Sequence, residues 1–195
     1  MNEREASIVL KLFKEYTVKY NARSLSKAVG LSAMGALKLL ERLRQRGLLV
    51  VENIGRAKIY RLDGSNPYAL HVVAFLLRQE AEESPARVKR WIVELRKLEG
   101  SSKIGVLFGS ALTDAQHGDV DLLAVLEQPR LAGFNKRVAA LNELSAKSIH
   151  PVKQSPQDLE ANLARHDEVV VAAVQRGVVA FGYEEYVEAL SRVAR

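Results

Sequence analysis

The sequence predicts an α+β chain built as two compact regions joined by a helical connector. Three observations carry this. Apolar residues recur at helical spacing through residues 1–46, then give way to two short strand-like runs around a turn. Residues 67–101 hold two further amphipathic segments with no strand between them. From residue 102 onward, Val/Ile/Leu runs bounded by Gly and Ser alternate with helical patterns, the signature of a sheet flanked by helices. The expected regions are therefore 1–66, 67–101 and 102–195.

Composition narrows the function classes. The 195 residues are 48% apolar and 27% charged, enough to build cores and too apolar for wholesale disorder. The chain has no cysteine, which excludes a disulfide scaffold, a thiolate metal site and a cysteine nucleophile. Its four histidines, at 71, 117, 150 and 166, show no paired ligand spacing. No run approaches the roughly 20 apolar residues of a membrane span, and Met1–Glu5 is unlike a signal peptide. The expectation is a soluble, cytoplasmic protein with no membrane partner.

The net charge of +6 is unevenly placed. Segment 19–62 carries ten Lys/Arg against only Glu41 and Glu52. A local positive field of this density suits a polyanion.

The first helix is expected over Glu3 to Lys19, with Ile8, Val9, Leu12, Phe13 and Tyr16 inward. A short helix, Ser24 to Val29, turns Leu25, Ala28 and Val29 inward, and Gly30-Leu31 makes the turn. Ser32 is placed to cap a third helix through Arg46, whose stripe is Ala36, Leu39, Leu40 and Leu43. Gly47 closes it, and Leu48–Glu52 and Lys58–Leu62 read as strands around Asn53–Ala57.

The stretch Leu25 to Ser32, with Leu40, Leu43 and Gly47-Leu48-Leu49, resembles the winged helix-turn-helix family over about residues 5–63. The resemblance implies duplex DNA as a partner, with the third helix in the major groove and the hairpin on the backbone. Lys27, Ser32, Lys38, Arg42, Arg46, Arg56 and Lys58 are the expected DNA-binding residues. Of the outward residues Ala33, Met34, Leu37 and Lys38, only Lys38 donates a hydrogen bond; Ala33 or Met34 suits a thymine methyl. The arginines suit phosphates, which give affinity without sequence choice.

In the connector, Tyr68 to Gln79 is strongly apolar through Leu70, Val72, Val73, Phe75, Leu76 and Leu77. Ala86 to Leu98 follows, with Val88, Trp91, Ile92, Leu95 and Leu98 on one stripe, and a domain boundary is expected within 81–101. An apolar helix at this place reads either as a homodimer element or as a core helix of one chain.

The third region opens with Lys103–Phe108, read as a buried strand, then Gly109-Ser110 and a short helical stretch with Ala111 and Leu112. Asp119–Leu126 reads as a second strand. Period two puts Asp119 and Asp121 on one face and Val120 on the other. Adjacent carboxylates repel unless a cation lies between them, and hard oxygen ligands suit Mg²⁺. Gly109 permits close approach of a phosphate, and Ser110 can donate to it.

Leu107-Phe108-Gly109-Ser110, eight residues, then Asp119-Val120-Asp121-Leu122-Leu123 resembles the nucleotidyltransferase superfamily of DNA polymerase beta, in particular its minimal prokaryotic members, over roughly residues 103–183. The resemblance implies that Gly109 and Ser110 hold a nucleoside triphosphate, and that Asp119 and Asp121 bind the metal and are catalytic. Two features differ from the family pattern. The Gly-Ser is followed by Ala111-Leu112-Thr113-Asp114 in a short loop, where Arg-Gly is usual. The strand expected to carry a third carboxylate, Ser148–Lys153, has none; His150 is the titratable side chain available beside it, with Asp114 and His117 reaching from the loop.

Asn135 to Lys147 is expected to be helical with Val138, Leu141 and Leu144 inside. Ser155 caps a helix that opens on Pro156, with Asp158 as its N-terminal carboxylate. Asp167 caps a helix to Arg176, Val178–Phe181 is a strand, and Tyr183–Val193 is the last helix. The functional expectation is a DNA-binding, transcription-regulator-like protein whose nucleotidyltransferase-like region binds Mg-nucleotide. The alternative is an active enzyme moving a nucleoside monophosphate to a protein or nucleic-acid acceptor, as antitoxin-like members do.

Overall fold

The computed structural model describes residues 1–114, 116 and 118–193. The chain is mixed α+β, with nine α-helices and six strands in two sheets among the described residues. It divides into two compact units, 1–76 and 77–193.

The first unit begins with α1 (Glu3–Lys14), closed by a reciprocal cap in which Asn2 accepts from the Glu5 amide at 2.9 Å and Glu5 accepts from the Asn2 amide at 3.0 Å. Ile8, Val9, Leu12 and Phe13 are buried. The helix ends at Lys14, short of the expected Lys19. The chain must leave the helix before Tyr20, which turns extended to bridge Tyr60; the Tyr60 amide donates to the Tyr20 carbonyl at 2.9 Å.

α2 (Ala22–Ala28) carries the same kind of cap from Asn21 and Ser24. Leu25 and Ser26 are its buried residues. Ala28, expected inward, is exposed, because a helix this short turns only one row to the core. α3 (Ala33–Gln45) starts where Ser32 Oγ accepts from the Gly35 amide at 3.0 Å. Ala36, Leu40 and Leu43 are fully buried, and Leu39 is half-buried at the stripe's edge.

Strands β1 (Leu49–Ile54) and β2 (Ala57–Leu62) pair antiparallel, with Ile54 opposite Ala57. The turn is therefore Gly55-Arg56, not the expected five-residue loop. Gly55 takes φ +60°, which a tight hairpin requires and glycine supplies without strain. Asn66 donates to the Gly47 carbonyl at 2.8 Å and accepts from the Tyr68 amide at 3.0 Å, so it ties the end of α3 to the start of α4 (Pro67–Glu83). The division between units falls inside this helix, at Leu76/Leu77, upstream of the expected 81–101 window.

In the second unit, α5 (Ala86–Arg96) buries Val88, Trp91, Ile92 and Leu95. A four-stranded sheet follows in the order β5-β4-β3-β6. β3 (Ile104–Phe108) is buried along its whole length and runs antiparallel to β4 (Val120–Val125) and to β6 (Val178–Phe181). α6 (Leu131–Glu143) carries the chain back to β5 (Ile149–Gln154), parallel to β4. α7 (Pro156–Ala164), α8 (Glu168–Arg176) and α9 (Tyr183–Val193) complete the unit.

α6 departs from expectation. It begins at Leu131 and ends at Glu143, with Phe134 and Val138 as its buried residues. Leu144, expected inside, is 88% exposed. The Asn142 side chain accepts from the Ile149 amide at 2.8 Å and donates to the Ile149 carbonyl at 3.3 Å. That pairing ties the last turn of α6 to β5, and Leu144 lies on the outgoing turn beyond Glu143. Among the described residues no helix is long and apolar enough to cross a membrane.

Candidate functional site

The motif residues meet at one end of the second sheet. β3 ends at Phe108, and Gly109–Leu112 forms a single 3-10 turn. Phe108 is registered opposite Asp121 on β4, and Asp121 lies beside His150 on β5. Gly109, Asp121 and His150 therefore lie across three adjacent strand ends.

Gly109 takes φ +76°. A Cβ placed there would lie 2.0 Å from Asp121 Oδ2, so the carboxylate occupies the space that any other residue would fill. Val120 is buried between the two aspartates, as strand alternation requires. Asp119 is exposed, and its Oδ1 lies 3.7 Å from His150 Nε2. Ser110 is exposed, and its carbonyl accepts from the Thr113 and Asp114 amides at 3.0 and 2.8 Å. An open groove of about 420 Å³ runs from Asp121 past Ser148 and His150 to Val152.

Asp158, read from the sequence as a helix-start carboxylate, and Asp114, expected to reach from the loop, both have local partners. Asp158 accepts from Ser155 in a capping box, and those hydrogen bonds hold its carboxyl below the usual range. Asp114 accepts from the Gln116 amide at 2.8 Å. His117 lies outside the described residues. β5 carries no Asp or Glu, and among the described residues no group of three or more His, Asp and Glu is placed to hold a metal ion. Asp119 and Asp121 are hard oxygen donors, the kind that Mg²⁺ takes.

One residue of this region carries no sequence signal. Arg87 of α5 donates to the carbonyls of Ala111 and Leu112, at 3.1 and 2.6 Å. Nothing in a single arginine on an amphipathic helix marks it as a partner of a turn 24 residues away.

In the first unit, Lys27, Ser32, Lys38, Arg56 and Lys58 are all exposed. Ser32 Oγ accepts the α3 capping bond from the Gly35 amide, and its O–H remains a donor. Arg42 and Arg46, expected at phosphates, reach Glu5 at 3.1 and 3.5 Å while their side chains stay partly exposed. Glu5 is only 3% exposed, and the two arginines offset its buried charge at the α1 cap. On the outer ridge of α3, Met34 is 62% exposed and Leu37 36%. Glu41 accepts from Tyr60 Oη at 2.7 Å and Arg44 Nε at 2.8 Å, which lowers its pKa. Burial, then the Glu41 hydrogen bond, pushes the Tyr60 phenol up to about 12. No protein-family model, curated protein or solved structure matches the chain.

Proposed function

We propose that the chain is a DNA-binding protein of winged-helix type whose second unit is nucleotidyltransferase-like and binds Mg-nucleotide. The observation that carries the nucleotide reading is the close approach of Gly109 to the Asp121 carboxylate, with Asp119 just before β4. The missing side chain at Gly109 makes room for the Asp121 carboxylate against the turn, and Asp119 and Asp121 would hold the Mg²⁺ that accompanies a phosphate. The bound metal would neutralise phosphate charge. The mixed sheet β5-β4-β3-β6 with flanking helices supports the same fold assignment.

Three helices followed by a hairpin, in a strongly basic segment, support the DNA reading. Exposed Lys27, Lys38, Arg56 and Lys58 are the proposed phosphate contacts. Tyr68 and Phe75 on α4, 48% and 64% exposed, support a homodimer. A second reading, transfer of a nucleoside monophosphate to a protein or nucleic-acid acceptor, is favoured by His150 beside Asp119. The lack of a carboxylate in the β5 sequence favours binding over efficient transfer.

The test is calorimetric titration of Mg-ATP and Mg-GTP into the parent chain and an Asp119→Asn/Asp121→Asn variant. The expected result is binding by the parent and its loss in the variant. Equal binding by both, or none by either, refutes the reading.

A further inference from the structure

We propose that Arg87 is a positioning residue of the nucleotide site, an inference that rests on the nucleotide-binding reading above. Its two terminal nitrogens donate to Ala111 O and Leu112 O, the carbonyls that end the Gly109–Leu112 turn. The last carbonyls of a helical turn have no partner within it. A guanidinium is a rigid planar fork, so one group satisfies both and fixes their relative orientation. Behind them, the Ser110 carbonyl is held by the Thr113 and Asp114 amides. The C-terminal end of the turn is therefore secured from two sides, and Gly109, which opens the same turn, sits at φ +76° against Asp121.

Arg87 also brings a charge. A guanidinium stays ionised across the working pH range. The side chain is half-buried, where a fixed charge is screened less than on an open surface. A triphosphate approaching Asp119 and Asp121 meets two like charges, and a cation on the neighbouring turn offsets part of that repulsion. The cation comes from α5, not from the segment that carries the motif.

The experiment compares the parent chain with Arg87→Met and Arg87→Lys, titrating Mg-ATP and AMP and recording thermal unfolding. Arg87→Met is expected to weaken Mg-ATP about tenfold, the equivalent of one charged hydrogen-bonded support, while AMP affinity stays as in the parent. Arg87→Lys, which keeps the charge and loses the fork, is expected to fall between. Parent-like Mg-ATP binding by folded Arg87→Met overturns the proposal. An equal loss for ATP and AMP also overturns it, since that is general distortion. Should Arg87→Met fail to fold, parent-like Mg-ATP binding by Arg87→Lys overturns it. A parent chain that binds no nucleotide removes the nucleotide reading and this proposal with it.

Discussion

Gly109→Ala tests the geometry of the motif directly. A side chain at φ +76° costs about 1–2 kcal/mol in backbone strain. The new Cβ would also lie 2.0 Å from Asp121 Oδ2 and 3.0 Å from Asp121 Cγ. A carbon and an oxygen rest at about 3.3 Å or more, so the carboxylate must retreat by roughly 1.3 Å. Turning it off its rotamer adds about 1 kcal/mol. The expected destabilisation is about 2–3 kcal/mol by urea unfolding, with nucleotide affinity lowered more than about tenfold because Asp121 is displaced. In the Asp121→Ala background the oxygen clash is gone and only a 3.2 Å contact with the residue-121 Cβ remains, so Gly109→Ala should cost little beyond its backbone part, about 1–2 kcal/mol. Nucleotide binding should not return there. An equal cost in both backgrounds, or parent-like nucleotide affinity in Gly109→Ala, would refute the reasoning.

The Tyr60–Glu41 pair predicts an alkaline signature. Its phenol holds its proton to about 12 when folded and to about 10 when unfolded, so the unfolded chain releases the proton first and stability falls as pH rises between them. The full loss is on the order of 2–3 kcal/mol, and it should be missing from urea unfolding of Tyr60→Phe, which costs about 1 kcal/mol at neutral pH. A parent-like alkaline slope in Tyr60→Phe would count against the pairing. The basic surface predicts a split in DNA binding. Lys38→Gln, Arg56→Gln and Lys58→Gln should each reduce the salt slope of duplex affinity by about 0.9. Arg42→Gln should leave that slope unchanged and lower stability by about 1 kcal/mol, since its partner is buried Glu5. Fluorescence anisotropy at several salt concentrations separates the two groups, and a reduced slope in Arg42→Gln would contradict the assignment to Glu5.

Local chemistry made much of this architecture legible. Ser32, Ser155 and Asp167 are capping side chains whose role depends on the next three amides, so they could be read from the sequence and are found at helix starts. Period-two alternation placed buried Val120 between Asp119 and Asp121 for the same local reason. The limits of α1 and α6 were not legible, because distant partners bear on them: Tyr60 draws Tyr20 into a bridge, and Ile149 pairs with the Asn142 side chain in the last turn of α6.

The site divides along the same line. The residue types Gly109, Ser110, Asp119 and Asp121, with their spacing, are properties of the sequence alone. The approach of Gly109 to Asp121 needs β3 and β4 in register, and the place of His150 needs β5 beside β4. The fork of Arg87 on Ala111 and Leu112, and the capture of Arg42 and Arg46 by Glu5, depend on groups brought together from different elements. A charge is visible in a sequence, but its partner is chosen by packing, and only the tertiary structure decides whether an arginine is left to meet a phosphate or is already held.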